Sequence, residues 1–170
     1  CGAGAFLAAA SAVTGTSQLG GSDYSSALID SGRELFPWID FEVCEASRVP
    51  IEPAYQHVAC VGAFMYFNSL DYATEVLDRM TVKSQRTVSI FDVPDASRQE
   101  RSEAFRRQGY SDSEYEQRYG GLDHLYFDRT WFPNQFDQSE WEVAVIDQDV
   151  AGYGNSKFRF NVFATKRLAD

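Results

Sequence analysis

The stretch CGAGAF at residues 1–6, taken together with GSDYS at residues 21–25, decides how this chain folds. The first stretch is a glycine turn that opens an apolar helix, and the second carries an acidic residue, Asp23, about twenty positions further on. Glycine has no Cβ atom, so backbone can approach a ligand closely there, and the first N–H groups of a helix are free to bind that ligand. A carboxylate at the end of the next strand can accept hydrogen bonds from both hydroxyls of a ribose. The layout therefore predicts a nucleoside-binding crossover.

The spacing of the glycines distinguishes two kinds of nucleoside site. A dinucleotide turn follows G-x-G-x-x-G or G-x-G-x-x-A, in which the third small residue allows close contact between helix and strand. That position here holds Leu7, whose side chain is too large for such a contact. What remains, CGAG at residues 1–4, corresponds to the second half of a G-x-G-x-G turn. The spacing therefore disfavours a dinucleotide.

These two segments resemble the class I S-adenosylmethionine-dependent methyltransferases, whose first motif commonly ends G-C-G-x-G and whose next strand carries G-x-D-x-S. The resemblance implies that Gly2 and Gly4 line the cofactor, that Asp23 binds the ribose hydroxyls and that Tyr24 flanks the adenine. Because the chain begins inside the motif, we expect the first glycine and the strand before it to precede Cys1.

The composition describes one packed domain with an acidic surface. The 170 residues are 44% hydrophobic and carry a formal net charge of −10, which argues against binding to nucleic-acid backbones. Three cysteines without C-x-x-C spacing form neither a disulfide framework nor a zinc pattern, and no apolar stretch is long enough to span a membrane. We expect one domain over residues 1–170 in the cytoplasm, without metal, membrane or nucleic acid; its oligomeric state stays open.

The order of elements predicts an α/β fold. Helices and strands alternate over the first ninety or so residues, which indicates a parallel sheet. Residues 57–64 form a continuous apolar run, typical of a central strand covered on both faces. The strands at residues 141–147 and 158–165 are joined by a connection too short for a parallel crossover, so they should be antiparallel. A mostly parallel sheet that ends in an antiparallel hairpin, with helices on both faces, is the Rossmann-like methyltransferase fold.

The second half of the chain should form the acceptor side of the site. Residues 96–134 are charged or rich in Tyr, Asp, Ser and Gly, and we interpret them as a substrate-side insertion or lid. His124, in DHLYF at residues 123–127, resembles the His-aromatic segment that lines substrate pockets in many small-molecule methyltransferases. It is the candidate catalytic residue, either as a proton acceptor or as a group that holds the acceptor.

The remaining candidates follow predicted strand ends, where sites on open sheets collect. The resemblance implies that Glu45 and Ala46 lie beside the adenine and that Gly62 passes under the methionine moiety. Polar side chains near later strand ends are candidates for binding the acceptor: Tyr66, Tyr126, Arg129, Tyr153, Asn155 and Arg159.

The sequence thus predicts an S-adenosylmethionine-dependent methyltransferase that acts on a small molecule, with an oxygen acceptor favoured over nitrogen or carbon. Two alternatives stay open. One is an NAD-dependent oxidoreductase, which Leu7 and the closing hairpin disfavour. The other is a non-catalytic interaction module that keeps the fold and the cofactor site.

Overall fold

A computed structural model describes residues 1–167 of the 170-residue chain as six α-helices and six β-strands, joined by turns and short 3-10 segments. The helices are α1 (Ala5–Thr14), α2 (Ser26–Leu35), α3 (Leu70–Lys83), α4 (Gln99–Arg107), α5 (Asp112–Tyr119) and α6 (Trp131–Gln135). The strands are β1 (Gly20–Asp23), β2 (Asp40–Val43), β3 (Tyr55–Val61), β4 (Ser84–Pro94), β5 (Trp141–Asp147) and β6 (Arg159–Lys166).

Local sequence sets the ends of several helices. The Ser25 side chain accepts a hydrogen bond from the backbone of α2, which ends just before Pro37, a residue that cannot continue a helix. Ser69 caps α3 in the same way by accepting from the Tyr72 N–H. These caps satisfy backbone donors that the first turn of a helix leaves without a partner.

The strand pairing follows the predicted order. β1 pairs with β2 and β3 pairs with β4 in parallel, whereas β6 is antiparallel to both β4 and β5. The prediction of parallel strands followed by an antiparallel hairpin is therefore confirmed. Within residues 1–167 the strands form two sheets rather than one, a two-stranded sheet β1-β2 and a four-stranded sheet in the order β3-β4-β6-β5.

β3 differs from the sequence interpretation. It is an outer strand of its sheet in the part of the chain that the structure describes, and it is not covered on both faces. Val58 and Cys60 pack against the core, whereas Ala59 and Val61 are exposed on the opposite face. Within residues 1–167, the face of β3 that carries Ala59 and Val61 is not covered, and an apolar side chain is buried only where another element covers its face of the sheet.

The main core lies on one face of the four-stranded sheet. Val88 and Ile90 of β4 and Val162 of β6 are fully buried beneath Val76 and Leu77 of α3. Apolar surface removed from water in this way is the principal term that stabilises the fold.

The other face of the same sheet carries aromatic contacts. Phe6 of α1 lies 5.6 Å from Phe91 between ring centroids, and Phe91 lies 5.5 Å from Phe163. Helices therefore approach both faces of the sheet, α3 on one and α1 on the other. None of the helices in residues 1–167 has the length and apolar character that crossing a bilayer requires.

Residues 96–134 are not peripheral throughout. Phe127 and Phe132 are completely buried in the main core, and the Phe127 N–H donates to the Pro94 carbonyl at 2.9 Å. The end of this segment is therefore part of the fold, and only its earlier portion, from α4 to His124, borders the candidate site.

The core predicts how buried and exposed valines should differ. Val162→Ala removes two methyl groups from a fully buried position, so we expect a loss of about 2–3 kcal/mol in unfolding free energy. Val82→Ala makes the same change where 62% of the residue is exposed, and its effect should stay within about 0.5 kcal/mol. Urea unfolding followed by circular dichroism would measure both, and equal effects would contradict this core.

Candidate functional site

Four chain segments that follow parallel strands supply the polar groups of the candidate site. Asp23 ends β1, Glu45 follows β2, Gly62 follows β3, and Asp92 lies near the end of β4. The Cys44 N–H donates to the Asp23 carbonyl at 2.9 Å, which fixes the ends of β1 and β2 side by side. Ligands of open α/β sheets bind outside such strand ends.

The two predicted glycines of the first turn have different surroundings. Both have a left-handed backbone, with φ of 56° at Gly2 and 86° at Gly4. A Cβ atom at Gly4 would lie 2.5 Å from Cζ of Phe41, so packing alone requires glycine there. A Cβ atom at Gly2 would meet nothing within 4 Å. Gly2 therefore offers an open backbone surface, whereas Gly4 is buried.

The Asp23 carboxylate holds this turn in place. Its Oδ2 accepts from the Gly2 N–H at 2.8 Å and from the Cys1 nitrogen at 3.1 Å, and its Oδ1 accepts from the Ser25 N–H at 3.0 Å. Burial disfavours the ionised carboxyl, but the hydrogen bonds from Ser25, Gly2 and the Cys1 nitrogen together outweigh it, and the pKa of Asp23 is lowered. The carboxylate is therefore ionised at neutral pH and keeps lone pairs for further donors.

The other predicted cofactor residues lie around these strand ends. Tyr24 is 75% exposed, so its ring is available for contact with a planar ligand. Glu45 accepts from the Tyr72 hydroxyl at 3.2 Å, and Ala46 packs against the main core. Gly62 has φ of 62° and lines a cavity at the end of β3.

That cavity has a volume of about 250 Å³ and lies at the ends of β3 and β4. Its wall includes four of the predicted acceptor residues, Tyr66, Tyr153, Asn155 and Arg159. The polar side chains that line it come from four parts of the chain: Asp92, Arg106, His124, Tyr153, Asn155 and Arg159. The structure thus brings His124, Tyr66 and Tyr153, which were predicted for the acceptor side, together with Gly62, which was predicted to bind the cofactor.

His124 is neutral in this environment. Burial, followed by the charges of the Arg106 and Arg159 guanidiniums, lowers its pKa to about 4, although Asp92 opposes them. Arg106 Nη1 lies 3.3 Å from Nδ1 of the ring. Because a guanidinium can only donate, Nδ1 is the acceptor and the ring proton resides on Nε2. His124 is therefore a weak base that can donate a hydrogen bond through Nε2.

Asp92 is a cavity residue that the sequence interpretation missed. Its backbone φ of 63° makes it the non-glycine residue with positive φ in the part of the chain described. The carboxylate accepts from Gln148 at 3.1 Å through Oδ1 and from the Tyr153 hydroxyl at 3.1 Å through Oδ2. Backbone strain of this kind often marks functional sites. An acidic residue at the end of a buried strand was the only sequence signal that could have identified it.

Two predicted acceptor residues lie elsewhere. Arg129 does not line the cavity, because its guanidinium donates to Asp95 through Nε at 2.8 Å and to Asp147 through Nη2. These bonds give Arg129 a structural role, which corrects its assignment to the acceptor. Tyr126 stands behind the cavity wall, where its hydroxyl accepts from Arg106 at 3.3 Å. No group of three or more metal-ligating side chains occurs in residues 1–167.

Comparisons with known proteins identify the fold. No family model matches the chain, and no curated protein sequence does. Among solved structures, magnesium protoporphyrin IX methyltransferase from Synechocystis PCC 6803 with bound S-adenosylhomocysteine is 11% identical, with a TM-score of 0.67 over 99% of this chain and 71% of that one. The plantazolicin methyltransferase BpumL, also with S-adenosylhomocysteine, is 14% identical, with a TM-score of 0.72 over 99% and 74%. The chain has the Rossmann-like methyltransferase fold that the sequence predicted.

The glycine turn yields a stability prediction. Gly4→Ala combines a left-handed backbone with a clash against Phe41, so it should cost about 2–5 kcal/mol of unfolding free energy. Gly2→Ala has the same backbone strain without a clash and should cost only about 1–2 kcal/mol. Denaturant unfolding of the two variants would test this, and a larger loss at Gly2 would contradict the packing at Gly4.

His124 yields a titration prediction. Its imidazole NMR signal, assigned with a His124→Gln variant, should titrate near pH 4, below the ordinary value of 6.5. Because the unfolded chain binds the proton first, the stability that the neutral ring provides above pH 6.5 is lost as the pH falls toward 4. Arg106→Gln removes one opposing charge and should raise the pKa of His124. A midpoint at or above 6.5 in the wild-type protein would contradict the geometry.

Proposed function

We propose that this protein is an S-adenosylmethionine-dependent methyltransferase that acts on a small-molecule acceptor, with an oxygen atom favoured as the methyl acceptor. Two kinds of observation support the proposal. The fold is shared over 99% of the chain with methyltransferases that hold S-adenosylhomocysteine. The observation that carries the proposal is the open backbone of Gly2 beside the Asp23 carboxylate.

The residues of the first turn fit a nucleoside cofactor. Gly2 leaves room at its Cα, Asp23 presents an ionised carboxylate to ribose hydroxyls, and the exposed Tyr24 ring can lie against the adenine. Glu45 and Ala46 follow the neighbouring strand, and Gly62 and the buried Gly4 complete the predicted set. When bound, S-adenosylmethionine supplies a methyl group already activated for transfer.

The cavity beside Gly62 would hold the acceptor. Transfer of an activated methyl group depends mainly on alignment of the acceptor atom, so a protein can gain much of its rate by positioning. The neutral His124 ring suits this role, because it can hold the acceptor by donating through Nε2, while Tyr66 packs edge-on against it at 5.3 Å. With the formal charge of −10, a small molecule is a better acceptor than a nucleic acid.

One contact argues further against a dinucleotide cofactor. A Cβ atom at Gly21 of β1 would lie 2.7 Å from Cδ1 of Leu7 in α1. The strand therefore accommodates the large helix residue, whereas a dinucleotide turn places the small residue on the helix. Helix α1 and strand β1 therefore still make a close contact, but the small residue that permits it, Gly21, is on the strand and not on the helix.

Calorimetry with two ligands tests this proposal. S-adenosylhomocysteine should bind and NADH should not. Asp23→Ala should weaken binding of S-adenosylhomocysteine by about 1–3 kcal/mol, because charged hydrogen bonds to the ribose are lost. Gly2→Ala should weaken it too, since the new methyl group enters the open surface.

Matched controls separate binding from folding. Gly15 has a positive φ of 73° and, like Gly2, no neighbour for an added Cβ atom, so Gly15→Ala reproduces the strain away from the site. Asp30→Ala removes an exposed carboxylate that pairs with Arg33. Neither control should change the affinity. Preferential binding of NADH, or equal losses in Gly2→Ala and Gly15→Ala, would overturn the proposal.

A further inference from the structure

Arg159 is a buried cation whose donors lack partners. Its side chain is only 2% exposed, and neither Nε nor Nη1 forms a hydrogen bond. A guanidinium does not lose its proton at accessible pH, so the positive charge persists in the interior. A buried charge without full compensation costs several kcal/mol, unless a counter-ion or a ligand supplies the missing contacts.

The nearby carboxylate compensates this charge only in part. Asp92 Oδ1 lies 3.6 Å from Arg159 Nε, which is an ion pair but too long for a hydrogen bond. Gln148 and Tyr153 hold the two oxygens of Asp92 at 3.1 Å each. The Asp92 carboxylate is thus fixed by other donors, and the Arg159 fork stays available at the cavity wall.

A second guanidinium faces the same cavity. Arg106 donates to His124 and to Tyr126 at 3.3 Å, but its buried Nε has no hydrogen-bond partner. With His124 neutral, the cavity holds two positive guanidiniums against the one carboxylate of Asp92. The wall therefore carries one net positive charge, in a protein whose formal charge is −10.

We propose that this cavity binds a small carboxylic acid, with the carboxylate held by Arg159 and Arg106. The proposal rests on the proposed function in one respect, since it makes this acid the class of acceptor. A monoanion matches one net positive charge, whereas a phosphate dianion would exceed it and be repelled by Asp92. A planar carboxylate also fits the two parallel N–H groups of a guanidinium.

The rest of the wall suits an apolar or aromatic body. Met65, Tyr66, Tyr119 and Leu122 line the cavity beside the charged groups. A volume of about 250 Å³ lies at the small end of ligand sites, so the acid should be compact.

Paired acids and amides test the proposal with probes of known charge. In NMR titrations, acetate and benzoate should raise the pKa of His124, because a bound carboxylate offsets the guanidiniums that face the ring. Acetamide and benzamide have the same shapes without the charge and should raise that pKa less. The titrations would use ~10–100 mM probe, where even a ~1 mM site is largely occupied, with chloride at matched ionic strength. Benzoate should bind about tenfold or more tightly than benzamide.

Variants assign the effect to the two guanidiniums. Arg159→Gln and Arg106→Gln should each abolish the preference for the acid, and Arg159→Lys should reduce it by removing the planar fork. Arg101→Gln, an exposed change on α4, the helix of Arg106, should leave the preference intact. If Arg159→Gln fails to fold, Arg106→Gln and Arg159→Lys decide the assignment.

The outcomes separate this proposal from the proposed function. Each titration would be run with and without S-adenosylhomocysteine. Calorimetry would measure the binding of that ligand separately, with Gly2→Ala to assign it to the first glycine turn. Failure of that ligand to bind would overturn the methyltransferase proposal and with it the role of the acid as acceptor, but not the carboxylate site. No difference between acid and amide, or inorganic phosphate that displaces benzoate and binds more tightly, would overturn the carboxylate site.

Discussion

The hydrogen bonds of the Asp23 carboxylate organise the first half of the site. One oxygen accepts from Gly2 and the other from Ser25, while the Asp23 carbonyl accepts from Cys44. A single residue therefore fixes the glycine turn, the start of α2 and the end of β2. Because these contacts are all made between groups of the protein itself, they hold the glycine turn and the open surface of Gly2 in one arrangement.

The second half of the site concentrates unfavourable features in one place. Asp92 has a left-handed backbone, and Arg159 is buried with two nitrogens that lack partners. Aspartate tolerates that conformation better than most residues, but the coincidence of strain and buried charge is unusual away from function. Gln148 and Tyr153 restrain Asp92, and burial together with Asp92 raises the pKa of Tyr153, so its hydroxyl remains a donor.

The sequence predicted those features that depend on neighbours in the chain. The first glycine turn, Asp23 and the closing hairpin follow from short-range spacing and connection length, and the structure places them as predicted. In α2, by contrast, Leu28, Ile29 and Leu35 are all apolar in sequence, yet of these three only Ile29 is buried. Local patterns identify apolar residues, but the partner that covers them comes from distant parts of the chain.

Two arginines show most clearly which features of the site could not be predicted from the sequence. Arg129 lies just before α6 and Arg159 begins β6, and both are near predicted strand ends. Their sequence contexts do not distinguish an arginine that stabilises the fold from one that lines a site. Arg129 has carboxylates on both sides of its guanidinium, from Asp95 and Asp147, and is 33% exposed. Arg159 has one carboxylate at 3.6 Å and is 2% exposed. A cation paired with two carboxylates stabilises the fold, whereas a buried cation with free donors requires a ligand to supply the missing contacts. That difference between the two arginines arises only from packing.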